Sequence, residues 1–129
     1  MKNIAVKEKY SDGQVIIKEG SFGEGTYVVL SGTVEIIKKV GDEKITIAAL
    51  GKGDIFGEMS FIDRESRSAS VVASGDVEVG LIDKDFLEFE INKTSSDFRT
   101  IITALTARLK KTTFELVQLK AEYHVCMKK

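Results

Sequence analysis

The chemistry of this 129-residue chain concentrates in one stretch, "FGEMSFIDRESRSASVVA", Phe56 to Ala73. Gly57-Glu58 opens it, and Arg67 follows ten residues after Gly57, immediately before Ser68-Ala69-Ser70-Val71-Val72-Ala73. That run of small and β-branched residues reads as a buried strand, so the guanidinium beside it is carried toward the interior. An unpaired buried charge costs several kcal/mol, so Arg67 requires an anion. Either Glu58 supplies it from within the chain or a ligand brings it from outside. Other chemistry is scarce. The single histidine, His124, and the single cysteine, Cys126, both lie near the C-terminal end. They cannot build a transition-metal shell in the body of the domain, nor hold a haem or an iron–sulfur cluster. No nucleophile–base pair stands out, and the expectation is a protein that is not an enzyme, with no metal and no cofactor.

The elements that must position these residues divide the chain in two. From about 10 to 82 it is cut into short β-branched pieces: Gln14–Lys18, Thr26–Leu30, Thr33–Lys39, Lys44–Leu50, Ser68–Ala73 and Val77–Ile82. Glycines punctuate them, and there is no proline. Short strands with regular turn signals predict an antiparallel barrel or roll. "TVEIIKK" and "KITIAAL" flank "VGDE", which predicts a hairpin turning at Gly41-Asp42. After Asp83 the period changes. A short helix is predicted over "KDFLEFEIN", then a long one capped by Ser95, Ser96 or Asp97 and running over about 95–127.

The long helix carries a second signal. Ile102, Leu105, Leu109, Thr112, Leu116, Leu119, Tyr123 and Cys126 follow one another at alternating spacings of three and four. That is an unbroken a/d seam, which predicts a parallel homodimeric coiled coil. The alternative is an amphipathic helix lying on its own barrel. Thr112 in the seam is a hydroxyl at an apolar position.

Taken together, these residues resemble the cyclic nucleotide-binding domain family, the sensor module of the catabolite activator protein and of cAMP-dependent protein kinase regulatory subunits. "DGQVIIKEGSFGEGTYVVLSGTVEII" is similar to the family's first strands, "GKGDIFGEMSFIDRESRSASVVA" to its phosphate-binding cassette at 56–73, and "ARLKKTT" to the helix that covers the base. The resemblance implies an antiparallel β-roll of jelly-roll type, mainly β, followed by a short helix and a long C-terminal helix. It implies that Arg67 meets the cyclic phosphate with a charge-assisted contact. It further implies that the backbone N–H groups around Met59-Ser60 and Ser68-Ala69 close the phosphate site, with Gly57 allowing close approach. Glu58 is implied to accept from the ribose 2′-OH, and Ser68 to reach a phosphate oxygen or the purine edge. Ile36 and Leu50 are implied to pack on the base, and Thr112 and Thr113 to read it. Paired hydroxyls there favour cAMP; a hydroxyl at Ser68 leaves cGMP as the alternative ligand. The chain departs from the family's pattern in three respects: the sequence ends at Lys129 without a winged helix-turn-helix, the segment before Tyr10 is too short for the usual N-terminal helix, and Ser60 stands where many members have alanine or glycine.

Composition is compatible with this reading. Hydrophobic residues make up 43% and charged residues 30%, ordinary for a globular domain, and the whole of 1–129 is expected to be one domain. A net charge of -1 gives no field to recruit nucleic acid or an anionic membrane. No apolar run approaches a membrane span, and one cysteine fits a reducing compartment, so a cytoplasmic location is expected. The output partner or output domain is left unspecified. The competing function is a dimerisation scaffold whose pocket no longer takes nucleotide.

Overall fold

The computed structural model describes residues 3–127; residues 1–2 and 128–129 of the expected single domain lie outside them. Six strands form one sheet: β1 (Ile4–Tyr10), β2 (Val15–Ile17), β3 (Tyr27–Val40), β4 (Glu43–Leu50), β5 (Ile55–Phe56) and β6 (Ser70–Ile82). Three helices accompany them: α1 (Glu58–Asp63), α2 (Lys84–Lys93) and α3 (Ser96–Met127). All pairings are antiparallel. This is the mainly β roll with C-terminal helices that the sequence predicts. No helix among the described residues is long and apolar enough to cross a membrane.

Two long strands organise the roll. β3 pairs with β6 in two blocks, Tyr27–Ser31 against Glu78–Leu81 and Thr33–Ile37 against Ser70–Ser74. The pieces that the glycines seemed to separate in each strand are therefore halves of one bent strand. The bend is possible because Gly32 sits at φ 84, where a Cβ would stand 2.3 Å from the Asp76 carbonyl oxygen. One half-sheet adds β1 and β5, the other β2 and β4. Strand β1 starts at Ile4, earlier than the expected boundary near Tyr10; its apolar Ile4, Ala5 and Val6 followed by charged Lys7, Glu8 and Lys9 give no strict alternation. The β3–β4 hairpin turns at Gly41-Asp42, with Val40 opposite Glu43.

The core lies between the halves. Val29, Val34, Phe56, Val71, Ala73, Val77 and Val79 are almost fully buried, with Ile17 beside them. A second cluster joins α3 to the roll: Val117 and Ala121 cover Ile45. Asp83 caps α2 by accepting from the Asp85 N–H at 3.0 Å, and Ser95 Oγ accepts from Phe98 N at 3.1 Å at the start of α3.

Tyr10 closes the core at the β1 end. Its hydroxyl donates to the Glu8 carboxylate at 3.2 Å, and burial, reinforced by the Glu8 charge, pushes its pKa up to about 12. A phenol raised in the folded state contributes fully below the unfolded value of about 10 and loses that contribution as pH rises toward the folded one. Urea unfolding measured across the alkaline range should show stability falling between about pH 10 and 12. Tyr10→Phe should flatten that fall; an unchanged slope would contradict the assignment.

Candidate functional site

A cavity of about 480 Å³ opens between the second half-sheet, α1 and α3. Its floor is apolar, from Ile17, Ile36, Ile47 and Val71, and one side is closed by Leu109, Thr113 and Phe114 of α3. Gly57, Glu58, Met59, Ser60, Arg67, Ser68 and Ala69 form the polar end. Nine of the predicted site residues thus meet on one wall system. Leu50 instead packs on the roll's core, and Thr112 points away on the exposed side of α3.

Arg67 is 7% exposed, and no carboxylate among the described residues pairs with it. Nη1 donates to the Gly57 carbonyl and Nη2 to the Gly25 carbonyl, each at 2.9 Å. These two bonds use part of a guanidinium with five N–H donors; the remainder has no protein acceptor among the described residues. Burial lowers the Arg67 pKa from its ordinary value, with only the Tyr27 hydroxyl opposing. Main-chain bonds fix the residue as well: Gly20 N donates to its carbonyl and its own N–H donates to Ser21 O, both at 2.8 Å. Of the two sources open at the level of sequence, the pairing with Glu58 is absent.

The surroundings are shaped to this side chain. Gly57 has φ 83, and a Cβ on it would meet Gly25 O at 2.6 Å and Arg67 Nη1 at 3.1 Å. Phe56, one residue earlier, is 1% exposed and stacks on Tyr27 with centroids 5.1 Å apart. α1 begins at Glu58 with no side-chain cap, leaving its first-turn N–H groups without the partners a cap would give. Ser68 and Ala69 sit before β6 begins, and their N–H groups have no hydrogen bond to the protein among the described residues. Glu58 is exposed at the rim.

Several site features escaped the sequence reading. Lys38 lines the cavity, donates to Ser68 O at 2.5 Å and pairs with Glu19 at 3.4 Å. It lies two residues after Ile36 on β3, so strand alternation alone puts both on one face. Lys110 and Lys111 line the cavity from α3, and Lys110 forms an ion pair with Asp63 at the end of α1. Arg64 follows at φ 57 and holds Glu24 at 2.8 Å; Glu24 also meets Lys84 at 3.3 Å. Those partners, Lys84 first, lower the Glu24 pKa. Lysines 38 and 110 are paired, so Arg67 and Lys111 carry the positive charge of the cavity that no carboxylate among the described residues answers.

Residues 7–94 match the family model of the cyclic nucleotide-binding domain. The chain belongs to that family. It is 36% identical over 115 residues to the cyclic AMP receptor protein of Thermus thermophilus, covering 88% of this chain and 53% of that protein. Over 72 residues it is 39% identical to the type II regulatory subunit of cAMP-dependent protein kinase from Drosophila melanogaster, covering 56% of this chain and 19% of that one. The solved EAL enzyme Bd1971 superposes in its cAMP-bound form with a TM-score of 0.80 at 30% identity, over 95% of this chain and 33% of that one. Its cGMP-bound form gives 0.75 at 31%, with the same coverage. The chain thus spans about half the length of one curated relative and about a fifth of the other.

Within this family member the cassette rests on Gly57. An alanine there combines a left-handed backbone with contact to a carbonyl and to the guanidinium, and should cost about 2–4 kcal/mol of stability. Denaturant unfolding of Gly57→Ala checks this, and a loss under about 0.5 kcal/mol, the ordinary effect of a surface substitution, would refute it.

Proposed function

We propose that the chain is a cyclic nucleotide sensor in which Arg67 binds the cyclic phosphate. The observation that supports this is the buried guanidinium: it faces a cavity, is anchored by two carbonyls, and has no carboxylate partner among the described residues. Carbonyls orient a cation without neutralising it, so the site is set for an anion with several acceptor oxygens. The free N–H groups of Ser68 and Ala69 and the first turn of α1 at Met59-Ser60 stand at the same end and suit a phosphate diester. Glu58 accepts from the ribose 2′-OH, the hydroxyl that a 3′,5′ ring leaves free. The apolar floor with Ile36 takes the base, and Ser68 reaches a phosphate oxygen or the purine edge. Thr113 reads the base from α3, with cAMP as the favoured ligand and cGMP as the alternative.

The exposed seam of α3 supports a dimer. Leu105, Leu109, Leu116, Leu119 and Tyr123 are each at least 45% exposed, on a face separate from Thr106, Val117 and Ala121, which turn to the roll. A parallel two-fold pairing along that seam covers them. It also brings Thr112 of one protomer toward the other, where it joins Thr113 at the base and couples ligand to helix arrangement. The output is an unidentified partner or a further domain. The competing reading, a scaffold that no longer takes nucleotide, predicts no heat on titration.

Two experiments test these assignments. Calorimetric titration with cAMP should give saturable binding, weaker by about 2–5 kcal/mol in Arg67→Leu, the usual cost of removing one partner of a buried charged contact. Equal affinity in wild type and variant would discard the phosphate assignment, and no binding by either would favour the scaffold. Sedimentation at tens of micromolar should show a dimer, and Leu116→Glu with Leu119→Glu should give a monomer with its roll intact. Neither substitution touches the cavity, so a monomeric wild type would remove the dimer and leave the ligand question open.

A further inference from the structure

A second concavity, of about 490 Å³, lies on the outer face of the same strands whose inner face lines the nucleotide cavity. Strand alternation makes this division: Ile36 and Lys38 of β3 face the cavity, while Ile37 and Lys39 face the groove. The floor of the groove is apolar, from Val15, Ile37 and Val72, and Val15 is 53% exposed. Lys18, Lys39 and Lys44 stand around it from three different strand ends. None of these ammonium groups has a carboxylate partner among the described residues. The one acid at the groove, Glu19, is already committed. Its Oε1 accepts from Lys39 N at 3.0 Å and its Oε2 pairs with Lys38 at 3.4 Å.

Lys39 and Lys44 are direct cross-strand partners in the β3–β4 ladder. Like charges directly opposite one another destabilise a sheet. Here the pair sits beside apolar surface on a chain whose net charge is -1. We infer that this groove docks an acidic peptide segment of a partner protein, in which an apolar side chain covers the floor and flanking carboxylates answer the lysines. A segment of this kind relieves the opposed charges and covers the exposed valine together. Single-stranded nucleic acid would want aromatic stacking platforms, and none of the lining residues is aromatic. Three lysines on a net acidic chain are few for holding an anionic bilayer. The docking does not depend on nucleotide binding, and the two sites share only the Lys38–Glu19 pair in their common wall.

The test uses the full chain and a fluorescein-labelled peptide, Glu-Glu-Leu-Glu-Glu, capped at both ends, followed by anisotropy. Saturable binding is expected, weakening as salt rises from about 0.05 to about 0.5 M, with no binding of the glutamine counterpart. Lys44→Glu should melt higher than wild type, since it turns a repulsion into an attraction, and should bind the peptide at least about tenfold more weakly. Lys18→Gln with Lys39→Gln should lose binding similarly while leaving the cAMP titration unchanged. Failure of the acidic peptide to saturate at millimolar concentration, or equal binding by wild type and both variants, would overturn the proposal. So would co-sedimentation with phosphatidylserine vesicles in the absence of peptide binding.

Discussion

The rest of the structure depends on a cation that is buried before its charge is answered. Arg67 draws on four main-chain contacts, two from its guanidinium and two from its backbone, and they come from separate segments. The loop after β2 supplies Gly20, Ser21 and Gly25, and the entry to α1 supplies Gly57. Gly20 and Ser21 hold its backbone, while Gly25 and Gly57 bring their carbonyls to the guanidinium, where a Cβ would crowd the approach. A side chain on Gly23 would reach the guanidinium at 3.4 Å, and one on Gly25 would meet the Tyr27 ring at 3.2 Å. Hydrogen bonds to a charged group contribute roughly 1.5–3 kcal/mol each, enough to hold the geometry but not to repay the desolvation of a full charge. In the proposed sensor that balance is what a bound anion would supply, and it is larger the more deeply the cation is buried.

Helix α3 meets two demands with two faces. The face toward the roll is built of small residues, Val117 and Ala121, which let the helix axis approach β4 closely. The opposite face keeps its leucines and Tyr123 outside. The two alternatives raised by the heptad pattern are therefore compatible: the helix lies on its own barrel and still presents an unbroken seam. The two stripes lie on different sides of the helix, so burying one against the roll leaves the other exposed.

The fold was legible because glycine and β-branched periodicity mark strands and turns locally, and the cassette because its order of Gly57, Glu58 and Arg67 is compact in sequence. What escaped depends on placement across long separations. Glycine spacing suggested separate strands where Gly32 only bends β3, since a turn and a bend use the same residue. The strand β1 escaped because an edge strand whose apolar residues precede its charged ones carries no alternation to read. The barrel-facing stripe of α3 escaped because threonine, valine and alanine give a weak apolar signal beside a row of leucines. Lys110 and Lys111 directly precede the two threonines that the resemblance makes base readers, but only the rotation of α3 about its axis decides which side chain faces in. Leu50 read as a pocket residue for the converse reason: its strand is right, but its side chain joins the core.

The same rotation bears on how a ligand signal travels. α1 carries Glu58 at one end and Asp63 at the other, and the Asp63–Lys110 ion pair ties that short helix to α3. Both partners are largely shielded, with side chains 14% and 23% exposed, so separating them exposes charges that now answer one another. Gly57, whose carbonyl holds Arg67, leads directly into α1, and a helix of six residues has little length in which to absorb a displacement. One short element therefore links the residue that holds Arg67 to the Asp63–Lys110 pair, and in the proposed sensor it would carry a displacement to α3. A ligand shifts such an arrangement only by the difference in its affinity for the two positions of the helix. Ligand atoms near Arg67 that bind equally in both positions add affinity without adding signal. In the proposed sensor, the contacts that would confer signal are those whose strength differs between the two positions, and Thr113 and Phe114, which close the cavity from α3, are placed to make them.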